Sequence, residues 1–496
     1  MLICPTPEEF KKLSDQSPYV PVVGVIQAPQ AALDRIYQEL YAREAVSFLF
    51  ESGKGPEEIS RFSFLGSCSG RQVTIKNKRA SLQYPGQNAP QEIEIDEAMR
   101  LLNFNDAAKT PEYAPHFWGG WIGFAGYEAG GIFETLPDDK GSADDLSDLF
   151  FAETFQFLRF DHKTKELKII VAVESGNPDQ SYESAVSELN RIENRIRALP
   201  SSCDLPAEDA SLSTEEAPKE FLSNMTQTQY MECVRRAKNY IEEGDVYQVN
   251  LAQRFETETE QDPISLYRRL WKVNPSPFSG IFNFPEATLI SSSPERLVKL
   301  EGDWIETRPI AGTRPRGKTE QEDHSLSAEL LLNEKEKAEH LMLVDLERND
   351  LGRLCLPGQV SVTDLMFLEQ YSHVTHIVSN IRGKLKPGTS LKEILTAVFP
   401  GGTITGCPKI RCMEIINELE PCARGPYSGS FGYIGFSRHM DLNIIIRSVL
   451  IQDKRASFHV GAGIVADSDP ETEYAETLSK AGAMMEALST LAKETS

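Results

Sequence analysis

Apolar and polar positions in the first 200 residues follow two periods, one typical of strands and one typical of helices. Short β-rich runs at residues 46–52 and 61–66 predict strands, and apolar positions at helical spacing predict a helix over residues 181–199. Residues 118–127 are apolar, aromatic and dotted with glycine, which predicts closely packed backbone rather than a nucleotide-binding loop. This part of the chain therefore predicts a mixed α/β domain.

A stretch rich in Ser, Pro and acidic residues at 201–226 interrupts this pattern and is the best linker candidate in the chain. We therefore expect an N-terminal domain over residues 1–200, this acidic linker, and a C-terminal domain over residues 227–492. A chain of 496 residues is long enough for two such domains.

The C-terminal part opens with an amphipathic helix predicted over residues 228–243 and a strand predicted over residues 246–255. Alternation along the strand places Gln248 and Asn250 on one face and apolar side chains on the other. A polar pair on one face of an interior strand is unusual, and a binding cavity would explain it.

Composition narrows the functional classes. The net charge of −23 argues against nucleic-acid binding, which needs basic patches, and no apolar run approaches the ~20 residues of a membrane helix. No secretory signal is visible, and the eight cysteines contain no CxxC pair. These features predict a cytoplasmic protein with reduced thiols, and they leave a small anionic substrate open.

Two pairs of glutamates stand three residues apart within predicted helices, so each pair shares one helix face. Glu336 and Glu339 lie in a long helix predicted over residues 325–346, and Glu473 and Glu476 lie in a helix near the C-terminus. Two such faces turned towards one another could present four carboxylates to one Mg2+. The alternative is a pair of solvated acidic faces balanced by neighbouring lysines and by the helix dipole.

Further candidates for chemistry lie in the same part of the chain. Glu295 follows a predicted strand at a turn, where its carboxyl either faces a cleft or pairs at the surface with Arg296. Residues 307–317 concentrate three arginines among prolines and glycines, which predicts either an anion-binding loop or a basic surface loop. His373 and His376 are candidate general bases, although a histidine in a core hydrogen bond is the usual arrangement.

Other stretches could bind a carboxylate through backbone or cationic groups. Residues 399–409 combine glycines and hydroxyls before a helix, whose first amides can bind a carboxylate. Small residues at 461–463 let the backbone approach a ligand closely, just before a helix predicted to begin at Pro470. Tyr427 and Arg447 are credible carboxylate clamps.

Taken together, these stretches resemble component I of the chorismate-utilising enzyme family, which includes anthranilate synthase and aminodeoxychorismate synthase. The matching segments, in family order, are residues 244–254, 293–296, 308–313, 338–353, 399–409 and 461–477. The resemblance covers nearly the whole chain, and six segments in order are very specific. It implies an α/β (α+β) fold in which large antiparallel sheets pack as a sandwich with helices outside.

The resemblance also implies roles for individual residues. The residues implied to hold Mg2+ or to lie next to it are Glu336, Glu339, Glu473 and Glu476. The metal would hold the ring carboxylate of chorismate, and Glu295 would act as general acid on the C4 hydroxyl, with His376 near that centre. The other residues implied to contact the substrate or the reacting centre are Thr403, Tyr427, Arg447, Gly461, Ala462, Gly463, Ala311, Gln248 and Lys480.

Position 248 bears on the nucleophile. In isochorismate- and salicylate-forming relatives, a lysine that activates water stands where this chain has Gln248. The resemblance therefore implies an amine nucleophile. Ammonia would come from a separate glutamine amidotransferase subunit, because this chain contains no fused glutaminase segment.

Position 311 bears on the product. Many aminodeoxychorismate synthases carry a lysine there, within Pro-Ile-Lys-Gly-Thr, whereas this chain has Ala311, as in anthranilate synthases. Residues 247–253 and 399–403 instead resemble aminodeoxychorismate synthases. We weigh these segments above the single alanine and expect aminodeoxychorismate synthase component I, which feeds p-aminobenzoate and folate. The alternative is anthranilate synthase component I of tryptophan biosynthesis.

A tryptophan site is a further hypothesis from the same resemblance. Its implied walls are a strand with Glu51 and Ser52 and a segment with Asn274, Pro275 and Phe278. In anthranilate synthases the second segment commonly contains Tyr-Met, which contributes to tryptophan binding, and this chain departs from that pattern at Phe278.

Overall fold

The structure, a computed structural model, describes residues 1–27, 29–52, 55–105, 108–137, 140, 144–200, 219–371 and 374–489. Most of the predicted linker, residues 201–218, lies outside the described residues. The same holds for His373 and for the last residues of the predicted C-terminal domain, 490–492.

The strands of the described part are β1 (Leu2–Cys4), β2 (Tyr19–Gln27), β3 (Ser47–Glu51), β4 (Phe62–Ser67), β5 (Gln72–Lys76), β6 (Arg79–Gln83), β7 (Gln91–Ile93), β8 (Gly120–Ala125), β9 (Leu149–Thr154), β10 (Gln156–Asp161), β11 (Glu166–Glu174), β12 (Leu222–Ser223), β13 (Gln248–Glu258), β14 (Phe278–Phe284), β15 (Ala287–Ser293), β16 (Arg296–Glu301), β17 (Trp304–Thr307), β18 (Ile310–Pro315), β19 (Cys355–Gln370), β20 (Val374–Leu385), β21 (Gly406–Cys407), β22 (Ser430–Gly435), β23 (His439–Asn443), β24 (Ser448–Gln452) and β25 (Arg455–Ile464).

The helices of the described part are α1 (Pro7–Ser14), α2 (Leu33–Leu40), α3 (Glu57–Ser60), α4 (Ile95–Leu101), α5 (Gly130–Phe133), α6 (Pro178–Arg197), α7 (Gln227–Glu242), α8 (Pro263–Val273), α9 (Glu320–Leu332), α10 (Glu334–Leu354), α11 (Leu391–Val398), α12 (Gly402–Thr405), α13 (Lys409–Leu419) and α14 (Pro470–Ser489), with one 3-10 turn at Tyr127–Ala129. Among the described residues, none of these helices is both long and apolar enough to span a bilayer.

Two large antiparallel sheets form the frame of the protein. The first has 13 strands in the order β1-β2-β11-β10-β4-β3-β14-β15-β24-β25-β13-β12, with β21 also paired to β13. The second has 12 strands in the order β18-β20-β17-β16-β23-β22-β8-β9-β5-β6-β7, with β19 also paired to β20. The predicted fold class is confirmed. Both sheets combine strands from either side of the predicted linker, and the division into two domains stays a prediction.

An aromatic core joins the two sheets. Phe282 of β14, in the first sheet, lies with its ring centroid 6.4 Å from that of Phe124 and 6.2 Å from that of Phe150, both in the second sheet. These three side chains are at most 4% exposed. Burying a side chain of this size contributes roughly 1.5–3 kcal/mol, so the contact between sheets is a major stabilising element.

Strand β8 packs backbone against backbone on both sides. A Cβ at Gly123 would lie 2.0 Å from the carbonyl oxygen of Phe150, and a Cβ at Gly120 would lie 2.2 Å from that of Ile434. Gly120 also has a φ of +148°, which L side chains rarely adopt. The close backbone packing predicted for residues 118–127 is confirmed.

One predicted helix is two helices in the structure. The sequence predicts a single helix over residues 325–346, whereas α9 ends before Asn333 and α10 begins after it. Asn333 leaves helical backbone angles, and its Oδ1 accepts a 3.1 Å hydrogen bond from the amide of Glu336. The single-helix prediction is wrong because this strong capping residue overrides the helical pattern. Glu336 and Glu339 consequently lie near the N-terminus of α10.

Arg424 is a buried cation that ties together the segments around β13. Its guanidinium donates to both carboxylate oxygens of Glu420, at 2.5 and 2.9 Å, and to the carbonyl oxygens of Asn250 and Ile404, at 2.8 and 3.0 Å. It also lies 5.6 Å from the centroid of the Tyr427 ring. One side chain therefore positions β13, α12 and the segment that carries Tyr427.

Arg424→Met should lower the free energy of unfolding by about 3–5 kcal/mol, because it leaves the Glu420 carboxylate buried and unpaired. Arg236→Met is the matched control, since the side chains of Arg236 and its partner Glu418 are 46% and 45% exposed. We expect the control to change the free energy by no more than about 1 kcal/mol. Denaturant unfolding measures both; equal effects would show that Arg424 is not an anchor.

Candidate active site

Buried polar atoms without hydrogen-bond partners mark the candidate site. They include Glu295 Oε1, His376 Nε2, Thr403 Oγ1, Gln248 Oε1 and Asn250 Oδ1. An unsatisfied buried polar group costs about 1–3 kcal/mol, so each one requires an explanation. A polar ligand that completes these bonds would provide it. Four of these five residues are candidate site residues from the sequence, and the fifth, Asn250, belongs to the predicted polar face of β13.

Glu295 follows β15 and is 5% exposed. Burial raises the pKa of its carboxyl to about 7, and the nearby Thr403 side chain, the Ile310 amide and the Arg447 cation only partly oppose that rise. A carboxyl with such a pKa holds a proton close to neutral pH, which is the requirement for a general acid. The alternative, a surface pair with Arg296, is not what the structure has, because Arg296 pairs with Asp441.

His376 lies in β20 with its Nδ1 2.9 Å from the Thr313 hydroxyl. Burial, assisted by the Arg447 cation, lowers the pKa of the imidazole to about 3. The ring is therefore neutral at neutral pH, and Nε2 remains available for a hydrogen bond. This favours a role in hydrogen bonding over the general-base role considered from the sequence.

Arg447 supplies positive charge next to Glu295. Burial lowers the pKa of its guanidinium, while the Glu295 and Tyr371 side chains oppose that change. Its Nη1 donates a 3.4 Å hydrogen bond to Oδ1 of Asn274, and within the described ranges it has no carboxylate at ion-pair distance. A buried guanidinium without a carboxylate at ion-pair distance is suited to bind a carboxylate of a ligand.

Two glycines of β25 make room for the polar groups of β13. A Cβ at Gly461 would lie 2.6 Å from Asn250 Oδ1 and 2.8 Å from the Tyr427 hydroxyl, and a Cβ at Gly463 would lie 2.7 Å from Gln248 Nε2. The predicted residues therefore meet at this point. The pairing of β24 with β25 runs only as far as Ser457, so residues 461–463 have no ladder with β24.

Lys480 connects β25 to the acidic helix. Its Nζ donates a 3.0 Å hydrogen bond to the carbonyl oxygen of Gly461 and lies 2.7 Å from Oε1 of Glu476. Ala462, between the two glycines, is buried in the apolar cluster beneath α7 and α13. The lysine is thus placed next to the predicted metal ligands and is already engaged by one of them.

The four predicted metal ligands are neighbours on α10 and α14. Burial raises the pKa of Glu339, and the charges of Glu336, Glu473 and Glu476 raise it further. Glu473 Oε1 accepts a 2.6 Å hydrogen bond from the Ser468 hydroxyl. Among the described residues, no three His, Cys, Asp or Glu side chains are grouped so as to hold an ion by themselves.

This donor set fits Mg2+. Carboxylates that repel one another at a partly exposed position are stabilised by a divalent cation, and Mg2+ commonly takes one or two protein carboxylates and completes its octahedron with water and substrate oxygens. Lysine and arginine partially balance the charge, since Lys335 lies 3.7 Å from Glu339 and Arg314 lies 3.0 Å from Glu336.

The three arginines of residues 307–317 each have a carboxylate partner. Arg308 pairs with Glu369, Arg314 with Glu329 and Glu336, and Arg316 with Asp323. The structure therefore does not offer this stretch as a free anion-binding loop. Ala311, in the same stretch, pairs with Ile377 of β20 and so lies beside the His376 strand.

A separate aromatic cavity lies between the sheets and includes part of the predicted tryptophan site. Its volume is about 380 Å3, and Ser52 and Phe278 line it. Glu51 faces away, with its carboxyl accepting a 2.6 Å hydrogen bond from Tyr267, and Asn274 contacts Arg447 instead. Pro275 is not among the lining residues. Tryptophan binding stays a prediction.

The sequence did not single out several groups at the site. Arg424 holds the frame, Tyr371 packs its ring 5.6 Å from that of His376, and Glu347, beside Thr307, lies within electrostatic range of Glu295. The sequence pattern could have identified Glu347, because it lies on the same face of α10 as the buried residues Val344 and Leu351. An acid on such a stripe calls for explanation.

The fold and this site together define a chorismate-binding enzyme. A family model described as chorismate binding enzyme matches residues 46–486, and this chain belongs to that family. The membership predicted from the sequence is confirmed.

Individual relatives extend the match over almost the whole chain. The chain is 38% identical to anthranilate synthase component 1 of Acetivibrio thermocellus, over 98% of each chain. It is 43% identical to aminodeoxychorismate synthase component 1 of Bacillus subtilis, over 78% of this chain and 80% of that one. The crystal structure of anthranilate synthase component I from Streptococcus pneumoniae is 32% identical, with a TM-score of 0.75, and the match covers 93% of this chain and 98% of that one.

Glu295→Gln should stabilise the protein at pH 8 by about 3 kcal/mol, because one pKa unit corresponds to about 1.4 kcal/mol. The substitution stabilises the protein because the pKa of Glu295 is raised to about 7 in the folded state, from an ordinary value of 4.5. Between these two values the folded state binds more protons, so stability falls as pH rises. The gain should therefore vanish below about pH 4.5. Thermal unfolding at pH 8 and pH 4 measures this; a pH-independent effect would contradict the assignment.

Proposed function

We propose that this chain is anthranilate synthase component I, which aminates chorismate at C2. Ala311 is the observation that carries this proposal. By the sequence resemblance it stands where a lysine adds to C2 in the lysine-dependent route to C4 amination, and it lies beside the strand that carries His376. A methyl group cannot form that bond, which leaves C2 open to ammonia.

The relatives support this choice over the aminodeoxychorismate synthase that we expect from the sequence segments. The match to anthranilate synthase component 1 extends over 98% of both chains, whereas the match to aminodeoxychorismate synthase component 1 extends over 78% of this chain. Aminodeoxychorismate synthase component I is the second candidate, favoured by the 43% identity of the latter match.

Substrate binding depends on groups that the fold leaves without partners. We infer that Arg447 pairs with one carboxylate of chorismate, and that Thr403, Tyr427 and the amides of residues 461–463 bind the other polar groups. Chorismate is a dicarboxylate, so the positive charge of Arg447 and of Lys480 suits it. The neutral imidazole of His376 would offer Nε2 to the ring substituents near the leaving hydroxyl.

We infer that Glu295 is the proton donor. Its protonated carboxyl would donate to the C4 hydroxyl, which then leaves as water while ammonia adds at C2. Loss of the C2 proton and of the enolpyruvyl side chain as pyruvate would then give anthranilate. Gln248 and Asn250, as neutral amides, would line the path of the ammonia without activating water as a lysine would. Protonating the leaving group in this way typically contributes about 10²–10⁴-fold in rate.

Mg2+ is the cofactor implied by the carboxylates of α10 and α14. Glu339 and Glu473 would hold it, with Glu336 and Glu476 alongside, and bound Mg2+ would neutralise the ring carboxylate of chorismate. The protein's own contribution is to place these four acids near one another on α10 and α14. Both helices are fixed locally, α10 by Asn333 and α14 by Asp469, whose Oδ1 accepts from the Thr472 amide at 3.0 Å.

A second subunit would deliver the ammonia. The relatives carry the name component 1, which supports a partner component, and we infer that this partner is a glutamine amidotransferase. The cytoplasmic location expected from the sequence stays a prediction.

A product assay tests the proposed function. Purified protein with chorismate, Mg2+ and an ammonium salt should form fluorescent anthranilate without any further enzyme. p-Aminobenzoate that appears only after addition of aminodeoxychorismate lyase would overturn the proposal in favour of the second candidate.

Ala311→Lys should shift product towards C4 amination, and an unchanged product ratio would show that other residues set the position of attack.

Glu339→Gln and Glu473→Gln should each lower turnover by more than about 100-fold. Substitution of a residue that only hydrogen-bonds to a metal ligand already lowers metal affinity or activity by about 10–100-fold. Asp345→Asn on α10 and Glu471→Gln on α14 are the matched controls, since both side chains are exposed on the same helices. Initial rates across a Mg2+ series would be compared, with circular dichroism to check folding. Full activity in either Gln variant would refute the metal assignment.

A further inference from the structure

His459 is a buried histidine next to the candidate site. It lies on β25, two residues before Gly461, and is 8% exposed. Its Nε2 atom has no hydrogen-bond partner in the described part of the chain. The imidazole is therefore not held in place through this nitrogen, and the roles assigned to the site residues so far do not use it. Its contact with another ring gives a reason for its position.

The imidazole of His459 stacks on the phenol ring of Tyr427. The two ring centroids are 5.3 Å apart, and the ring planes are inclined by only 15°. Stacked aromatic pairs with centroids about 4.5–7 Å apart attract one another beyond the effect of the area that they bury. The guanidinium of Arg424 also lies over the Tyr427 ring, 5.6 Å from its centroid. Two planar groups therefore pack against this phenol ring.

The strand that carries His459 also makes room for the Tyr427 hydroxyl. A Cβ at Gly461 would lie 2.8 Å from that hydroxyl and 2.6 Å from Oδ1 of Asn250, one of the unpartnered buried atoms of the site. His459 and Gly461 are two residues apart on one strand, so they belong to the same face of the sheet. Strand β25 therefore supports the phenol ring at one position and admits its hydroxyl to the site at the next position on that face.

The stack joins two parts of the fold. Tyr427 lies between α13 and β22, a strand of the second sheet, whereas His459 belongs to the first sheet. The amide of the next residue, Ser428, donates a 3.0 Å hydrogen bond to the carbonyl oxygen of Ile445. Such a backbone bond fixes where this segment lies, but the direction of the phenol ring depends on the groups that pack against it.

The imidazole of His459 is neutral. Burial lowers the pKa of His459 well below its ordinary value, and the cations of Arg254 and Arg424 lower it further. Arg254 is the residue paired with His459 across β13 and β25. A neutral ring can pack against Tyr427 beside the Arg424 guanidinium because it brings no second cation to the same ring.

We propose that His459 is a positioning residue whose stacked imidazole orients Tyr427, so that the Tyr427 hydroxyl can bind a polar group of the substrate beside Gly461. This rests on the proposed substrate-binding role of Tyr427. The contact involves no proton transfer to or from His459. It therefore acts on the binding of chorismate and not on the chemical step.

Two substitutions separate the flat ring from the filling of space. His459→Phe keeps a planar ring, and His459→Leu fills the space without one. We expect His459→Leu to weaken chorismate binding by about 3- to 10-fold, the order of magnitude of an aromatic pair, and His459→Phe to bind chorismate as the native protein does. The kcat of both variants should stay close to that of the native protein. Titration calorimetry without ammonia measures binding, and initial rates give KM and kcat. Equal binding by the two variants, or a loss of kcat with unchanged binding, would overturn the proposal.

A double-mutant cycle tests whether His459 acts through Tyr427. Tyr427→Phe keeps the ring but removes the hydroxyl, so it should weaken chorismate binding by itself. His459→Leu should then add little, because the group that it positions is already absent. Additive losses would show that His459 acts independently and would contradict the proposal. His439→Leu is the control, since that histidine stacks on His116 instead, with ring centroids 4.7 Å apart, and a similar loss of binding there would have the same meaning.

Nuclear magnetic resonance tests the stack without any turnover. In protein labelled with carbon-13 in its tyrosine rings, the signal that is absent from Tyr427→Phe belongs to Tyr427. His459→Leu should shift this signal, because the ring current of the imidazole is lost. An unchanged signal would refute the proposal. Because this measurement needs no chorismate, a failure of the proposed amination activity would be recognised separately.

Discussion

The buried ion pair of Arg424 and Glu420 is the interaction on which the candidate site depends. A guanidinium removed from water is stable only when its donors are used, and here they bind the Glu420 carboxylate and carbonyl oxygens of two other segments. Those segments carry the polar face of β13 and the threonine of α12. The pair therefore holds β13 and α12 together before any ligand arrives.

The candidate site is defined by the buried polar atoms that the fold leaves without partners. Glu295, His376, Thr403, Gln248 and Asn250 each hold a buried polar atom without a partner, whereas the charged residues around them are mostly paired. Preorganised donors and acceptors of this kind stabilise a reacting ligand because they need no rearrangement during the reaction. Burial raises the pKa of Glu295 to about 7 and lowers the pKa of His376 to about 3, so the imidazole is neutral.

Helical and strand spacing in the sequence placed Glu336 with Glu339, Glu473 with Glu476, and Gln248 with Asn250, whereas the roles of the other candidate residues came from the family resemblance and stay predictions. Spacing could not predict contacts that depend on the meeting of distant segments. The contact of Leu346 on α10 with Gly402 of α12 joins two segments far apart in the sequence, and Arg424 is an ordinary surface arginine by pattern until the fold brings Glu420 to it. The single helix expected over residues 325–346 failed because one capping residue, Asn333, outweighed the pattern around it.

We propose that the acidic helices and the buried polar groups form one site for Mg2+ and chorismate. Titration calorimetry in the absence of ammonia tests it most directly, with Mg2+ added to the protein alone and to the protein saturated with chorismate. Chorismate should strengthen Mg2+ binding, and Mg2+ should strengthen chorismate binding by the same factor, as linkage requires. Equal Mg2+ affinities with and without chorismate would contradict it.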